Sequence, residues 1–331
     1  MKELRLNWID SLKFLGIFYI YLGHYGISAG KLYNFVFLFH VPLFFFVGGI
    51  FHKKHSTMTS VLNGIIDKFK KIVIPYIAFS LVFILVSTLK YNYDYAKIFD
   101  MVERFAFGIR NTLPAASLWF LPCFFVVYIY HSILEIVFKK DWLVLIASLI
   151  IFISARIIPL YNGPAYFFNV DSALVYLLYY SLGKFLSSYI LQSSKSFIMN
   201  GVGFLLAITI SVLVSSYLYM FGVKDIYAIS SNKYILSVIN ITITFSLIIS
   251  SIFVSRLLVF KPFYELGRNT LVLCGTEQTI KLLITEAGSL FGIKLAPANG
   301  IQVIMLTAIC FMASYYITIP IYKKIKMYAH I

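Results

Sequence analysis

The chain has 331 residues, of which 60% are hydrophobic and 12% are charged, and its mean hydropathy is +0.87. A soluble globular domain carries about twice that share of charged residues, so the composition excludes an ordinary soluble fold. The net charge of +15 could indicate nucleic acid, but Lys and Arg favour one side of the predicted membrane topology by about two to one. We therefore attribute the excess of Lys and Arg to the orientation of the protein in the membrane and to contact with anionic lipid, and we expect no nucleic-acid partner.

The apolar residues form runs of about 18–23 residues, which is the length that a helix needs to cross about 30 Å of hydrocarbon. The runs lie near 11–28, 32–51, 72–89, 118–138, 142–159, 171–190, 198–221, 235–255, 270–292 and 300–321. The alternating segments of a membrane β-barrel do not appear. The sequence predicts an all-α, polytopic membrane helix bundle of about ten transmembrane helices. Both termini should be cytoplasmic, and residues 1–331 should form a single domain.

Two connecting segments are long enough to carry structure of their own. Residues 52–71 are basic and predicted to be cytoplasmic, and their apolar residues favour a helix that lies on the inner leaflet. Residues 90–117 are predicted to be external and contain an amphipathic stretch at 97–109. The first apolar run lacks a small-x-small cleavage site, so we expect it to remain as a span.

Ionisable side chains within the spans are costly in lipid and therefore indicate function. Asp10 and Lys13 open the first span, His24 follows eleven residues after Lys13, and His40 lies in the second span. A helical rise of about 16 Å places His24 in the outer half of the bilayer, at a depth similar to that of His40. The two imidazoles could share a polar cavity and exchange a proton near neutral pH. Each could equally be a buried histidine bonded to a carbonyl or tyrosine.

Other charged residues near or within the predicted spans indicate function less specifically. Lys68, Lys70 and Lys71 precede the third span and could bind phosphates, or they could contact only lipid headgroups. Glu277 and Lys281 are spaced i,i+4 and are interpreted as a structural pair.

The residues next to the external segment 157–170 also leave the interpretation open. Arg156 and Asp171 flank this segment and could contact an acceptor or pair with each other. Cys123, Cys274 and Cys310 are odd in number and fall within predicted spans, so we interpret them as packing residues and expect no metal.

Five sequence blocks occur in a recognisable order along the chain. They are Trp8-Ile9-Asp10-Ser11-Leu12-Lys13 with Gly23-His24, residues 39–49 (FHVPLFFFVGG), Lys68-Phe69-Lys70-Lys71 with Pro75-Tyr76, residues 118–122 (LWFLP), and residues 266–271 (LGRNTL). Together they resemble the acyltransferase 3 family of membrane O-acyltransferases. The late block departs from its relatives, which often end in a histidine where this chain has Glu277. The basic block has Lys where Arg is common, and we expect the stand-alone form without a fused periplasmic domain.

The resemblance implies transfer of an acyl group, most often acetyl from acetyl-CoA, to a hydroxyl of a cell-surface glycan or its lipid-linked precursor. It implies a bacterial cytoplasmic membrane protein in which His24 is the general base and His40 orients His24 or stabilises the oxyanion. Lys13 and Asp10 are expected to fix the first helix or the donor. The lysines of the basic block are expected to bind the phosphates of coenzyme A.

Two alternatives use the same features without this chemistry. A transporter of an acyl donor or glycan would need the same helices and the same polar cavity. A membrane scaffold of the polysaccharide-synthesis machinery would depend on neither histidine.

Overall fold

The computed structural model describes residues 6–157, 165–192, 209, 213 and 232–328. Within these ranges all regular structure is helical and no strand occurs, which confirms the all-α prediction. The predicted span 198–221 lies outside the described residues, apart from positions 209 and 213.

Fifteen α-helices follow in chain order within the described part of the chain. They are α1 (Asn7–Gly23), α2 (Lys31–Phe37), α3 (His40–Ile50), α4 (Met58–Lys68), α5 (Ile74–Tyr91), α6 (Tyr95–Phe107), α7 (Phe120–Phe138), α8 (Asp141–Ile157), α9 (Val170–Phe185), α10 (Ser187–Gln192), α11 (Lys233–Leu257), α12 (Lys261–Arg268), α13 (Thr270–Leu290), α14 (Gly300–Ala313) and α15 (Ile319–Tyr328).

Five helical stretches of the described residues are long and apolar enough to cross a membrane. They are Lys31–Ile50, Met58–Tyr91, Ala116–Phe138, Tyr234–Leu257 and Gly300–Met327. Helices α1 and α8 are apolar too, but have 17 residues each and so measure roughly 26 Å. The protein is therefore embedded in the membrane and crosses it several times, whereas the count of ten spans stays a prediction.

The second predicted span is two helices in the structure, because α2 and α3 are separated by a break at Leu38 and Phe39. Pro42 has no N–H to donate to the carbonyl four residues earlier, which belongs to Leu38. The hydroxyl of Thr244 on α11 donates to that carbonyl at 2.9 Å instead. The span predicted over 32–51 is therefore confirmed as Lys31–Ile50, and it contains a break that the sequence analysis did not predict.

Helix α4 continues into α5 through a π-helical turn, Phe69–Val73, rather than forming a separate surface helix. Its Val61 is buried, while Met58, Leu62 and Ile66 are each more than half exposed. These three residues lie on one face at i, i+4 and i+8. That exposed apolar face agrees with a helix that lies at the lipid interface.

The bundle has two ends, which we call the α4 end and the α6 end. Helix α5 joins them: α4 precedes it and α6 follows it.

Helices α3 and α9 cross closely between these ends, and two glycines make the close approach possible. A Cβ atom on Gly49 would collide with the carbonyl of Tyr180, and one on Gly183 would collide with the carbonyl of Phe46. Glycine is therefore required at this crossing, as is common where membrane helices pack backbone to backbone.

Helix α12 packs on the first half of α1 in the same manner. A Cβ atom on Gly267 would collide with the carbonyl of Asp10. Arg268, the next residue, donates to the Asp10 carboxylate at 3.3 Å and to Asn7 at 2.8 Å. The late sequence block thus fixes the position of α1.

Candidate active site

One face of α1 lines two cavities in succession. Lys13, Ile17 and Ile20 line a cavity near the α4 end, and His24 lines another near the α6 end. Positions 13, 17, 20 and 24 share one helix face because they follow the i, i+4, i+7, i+11 spacing. Helix α1 ends at Gly23, earlier than the predicted run 11–28, so His24 is the residue that caps it.

The cavity near the α4 end, which we call the apolar cavity, has a volume of about 200 Å³. Lys13, Phe51 and Ile72 line it, and Ile72 directly follows the basic block. Deeper in the bundle, Phe120 and Cys274 line it as well. Its walls suit an extended apolar or weakly polar chain that enters from the α4 end.

The cavity near the α6 end, which we call the polar cavity, is larger, at about 560 Å³. Its lining combines imidazoles, guanidinium groups and aromatic rings, contributed by His24, His40, Arg110, Arg156, Tyr33, Trp119, Tyr176 and Tyr179. The two histidines predicted from the sequence therefore line the same cavity.

His24 is fixed by a carboxylate on α13. Its Nδ1 lies 2.6 Å from Oε2 of Glu277, and the Glu277 side chain is fully buried. The other oxygen, Oε1, accepts from the Lys281 ammonium at 2.6 Å, which also donates to the Tyr21 carbonyl at 3.1 Å. Because a carboxylate accepts, His24 carries its proton on Nδ1, and Nε2 is left to accept a proton.

Sequence analysis predicted the Glu277–Lys281 pair, and the structure confirms it. It missed that Glu277 also bonds to His24, which lies 253 positions away in the chain. Glu277, singled out in the sequence as a departure from the pattern that the resemblance implies, is thus the residue that contacts His24.

His40 is buried, and its Nδ1 lies 2.6 Å from the carbonyl of Val36. Since a carbonyl accepts, Nδ1 carries the proton, and a neutral His40 offers Nε2 only as an acceptor. Its ring packs edge-on against Phe37. In this state His40 can accept a hydrogen bond in the cavity, but it cannot donate one to an oxyanion.

Sequence analysis also missed Arg110, which lines the polar cavity. Its backbone N–H donates to Asn169 at 2.6 Å, and its guanidinium donates to the Tyr176 hydroxyl at 3.0 Å and lies over the Trp119 ring. Asn169 is fully buried and donates to the carbonyls of Gly108 and Trp119. Trp119 belongs to the block at 118–122, which was the only signal in the sequence.

Asp10 and Lys13 lie at the α4 end of α1, away from His24. The Asp10 carboxylate is buried between Lys13 and Arg268, each at 3.3 Å. Asp10 is thus part of the contact that joins α1 to α12. Lys13, which is partly exposed, lines the apolar cavity.

The three lysines of the basic block lie at the α4 end but do not form a single cluster of side chains. Lys68 is half-buried with its ammonium over the Tyr128 ring, and Lys71 pairs with Asp67 at 2.7 Å. Lys70 is exposed. None of the three lines the apolar cavity, although Ile72, which directly follows them in the chain, does.

Arg156 and Asp171, whose roles the sequence left open, have different surroundings in the structure. Asp171 accepts from the backbone N–H groups of Ala165 and Ser172, at 2.9 and 2.8 Å. Arg156 lines the polar cavity.

Comparison with known proteins gives one match. A family model described as an acyltransferase domain matches residues 6–323. The chain belongs to the acyltransferase 3 family. No curated protein and no solved structure matches it. Members of the acyltransferase 3 family transfer acyl groups, so this protein is an enzyme of that kind, which sets the transporter and scaffold alternatives aside.

Proposed function

We propose that this acyltransferase moves an acyl group, acetyl in the simplest case, from cytoplasmic acyl-CoA to a hydroxyl on the outer side of the membrane. The acceptor is a cell-surface glycan or its lipid-linked precursor. In this proposal the bundle crosses the bacterial cytoplasmic membrane about ten times, and the α4 end and both termini are cytoplasmic.

The arrangement of α1 is the observation that carries this proposal. A single helix face runs from Lys13 beside the apolar cavity to His24 in the polar cavity. Ile72, at the wall of the apolar cavity, directly follows the lysines, which would bind the phosphates of coenzyme A, and the cavity walls suit the pantetheine arm. The thioester would then approach His24 from one side and the acceptor from the other.

The chemistry follows from the hydrogen bonds of His24. Nε2 of His24 takes the proton of the acceptor hydroxyl as its oxygen attacks the thioester carbonyl carbon. Glu277, which accepts from Nδ1, stabilises the imidazolium that forms. The carbon–sulfur bond then breaks, and the coenzyme A sulfur leaves with the proton returned by His24.

Two further residues are assigned roles in the polar cavity. Arg110 has guanidinium donors there and would stabilise the oxyanion of the tetrahedral intermediate. His40, whose Nε2 can accept, would orient the acceptor hydroxyl. Trp119, Tyr176 and Tyr179 offer aromatic surfaces that suit the apolar faces of a sugar ring.

Mass spectrometry of surface glycans tests this function. Cells with the wild-type gene should carry an acylated sugar that is absent from cells lacking the gene and from cells that express His24→Gln at equal protein level. Identical glycans in all three strains would contradict the glycan acceptor.

A further inference from the structure

A second group of buried ionisable residues lies at the α4 end of the bundle, apart from the polar cavity. His52 follows α3, and His131 and Glu135 are spaced i,i+4 on one face of α7. All three residues are at least 95% buried, with relative exposures of 5%, 1% and 2%. Burial of this degree is costly for ionisable groups unless they are paired or bind a metal.

The hydrogen bonds within this group are incomplete. Nδ1 of His131 and Oε1 of Glu135 are buried, and neither has a hydrogen-bond partner among the described residues. The other oxygen, Oε2 of Glu135, accepts from the His55 backbone N–H at 2.8 Å and lies 3.1 Å from Nε2 of His52. Native structures leave few such buried polar atoms unsatisfied, and a bound metal ion is one way to satisfy them.

The hydrogen bonds of His52 are compatible with this interpretation. Its Nδ1 lies 2.9 Å from the Tyr180 hydroxyl. When Nδ1–H donates to that hydroxyl, Nε2 and the Glu135 carboxylate face each other as two electron-pair donors. A proton on Nε2 would satisfy this contact alone, whereas a metal ion would engage His52, Glu135 and His131 together.

We propose that His52, His131 and Glu135 bind a divalent transition-metal ion, for which Zn²⁺ is the best fit. Two imidazoles and one carboxylate are a common ligand set for such ions. Ligand atoms around one zinc ion lie roughly 3–3.5 Å apart, which matches the 3.1 Å between His52 and Glu135. One ligand atom of each residue lies within 4.8 Å of the others, so binding requires only a small shift of the third ligand.

The positive charge of Lys184 lies close to His52 and repels a cation, which limits the kinds of metal ion that can bind here. The Lys184 ammonium donates to the His52 carbonyl at 2.9 Å. Glu135 offsets that charge, but a weakly bound Mg²⁺ or Ca²⁺, which prefers several oxygen ligands, is disfavoured. Nitrogen ligands favour ions such as Zn²⁺.

The ion would link two parts of the chain, the segment that follows α3 and helix α7, close to α4. His55 in that segment bonds to the Tyr128 hydroxyl at 2.8 Å, and the Lys68 ammonium lies 5.4 Å from the Tyr128 ring centroid. The ion would therefore stabilise the part of the protein that carries the basic block. The site does not depend on the proposed function.

Metal content of the purified full-length protein tests the proposal. The protein is purified in detergent with an affinity tag that contains no histidine, equilibrated with Zn²⁺, freed of excess ion and analysed by mass spectrometry. We expect about one tightly bound zinc per chain, a melting temperature that falls on chelation, and its recovery when Zn²⁺ is returned. Glu135→Gln and His131→Gln should lose both the zinc and this response.

His24→Gln is the matched control, since it removes a histidine from the polar cavity and should retain the zinc. A wild-type protein without zinc, whose melting temperature does not respond to chelator or Zn²⁺, would show a hydrogen-bond network only and would overturn the proposal. Because that measurement uses the wild type, it decides the question even if the variants fail to fold. Folded variants that bind zinc as the wild type does would also overturn it.

Discussion

Glu277 is a buried carboxylate whose two oxygens engage different partners. One accepts from His24 and the other from Lys281, so the negative charge is shared between an imidazole and an ammonium group. This arrangement fixes the His24 ring and determines which nitrogen can act as a base. It is a positioning role, because we assign the proton transfer itself to His24.

Glu277→Gln should therefore lower kcat and leave the KM for the acyl donor almost unchanged. The amide keeps the size of the side chain, but it lacks the charge that stabilises the imidazolium. We expect a loss that approaches the ~10²–10⁴-fold worth of a positioned general base. Steady-state kinetics of the purified variant give the two constants separately.

Glu286→Gln is the control, since Glu286 lies on the same helix and pairs with Lys90 near the α6 end. It should retain near wild-type kcat. A Glu277→Gln enzyme with unchanged kcat would show that the contact with His24 is only structural.

The basic block gives a second prediction at the residue scale. If Lys68, Lys70 and Lys71 bind phosphates, replacing all three by Gln should weaken acetyl-CoA binding and reduce its dependence on salt. The matched control is the triple Gln variant of Lys323, Lys324 and Lys326 on α15, which removes the same charge. Titration of both variants at two ionic strengths distinguishes them; equal affinities would leave only lipid contact for the basic block.

At the scale of elements, the close crossing of α3 and α9 determines where His52 and Tyr180 meet. Gly49→Ala should destabilise the protein, because the added methyl collides with the backbone carbonyl of Tyr180. Overpacking of this kind costs about 1–3 kcal/mol. The melting temperature in detergent measures the effect.

Gly300→Ala is the control for that measurement. A Cβ atom there would make only ordinary contacts, with the Leu32 side chain at 3.4 Å and the Ala29 carbonyl oxygen at 3.8 Å. We expect it to leave the melting temperature unchanged or slightly higher, as Gly→Ala changes in helices do. Equal melting temperatures for both variants would contradict the close packing assigned to Gly49.

The elements also show what the sequence could predict. Hydrophobic runs predicted most helices, since membrane helices must satisfy their own backbone groups and so depend on local composition. Pro42 is a local signal for the break between α2 and α3, but the bond from Thr244 that satisfies the Leu38 carbonyl comes from far along the chain and could not be read locally. The same holds for the His24–Glu277 contact, which joins α1 to α13.

One signal in the sequence was available and unused. His131 and Glu135 are two ionisable residues four positions apart within the predicted span 118–138, and that spacing places them on one face. His52 completes the group only through tertiary packing, from 83 positions before Glu135. Local spacing could thus have indicated two of the three residues of that site.

At the scale of the whole molecule, the direction of acyl transfer depends on topology, with the α4 end predicted in the cytoplasm. Cysteine labelling tests this because Cys123, Cys274 and Cys310 are all buried and give little background. An impermeant reagent added to intact cells should label Glu103→Cys on exposed α6 and should leave Ser56→Cys unlabelled. The reverse pattern would invert the proposed direction of transfer.

The central claim is that His24 is the general base, and the purified His24→Gln enzyme tests it most directly. Glutamine keeps a polar side chain of similar size but cannot accept the proton at neutral pH. We predict that the variant folds, binds the acyl donor like the wild type and loses about 10²–10⁴-fold in acyl-transfer rate. A folded His24→Gln enzyme that transfers the acyl group at the wild-type rate would contradict the account.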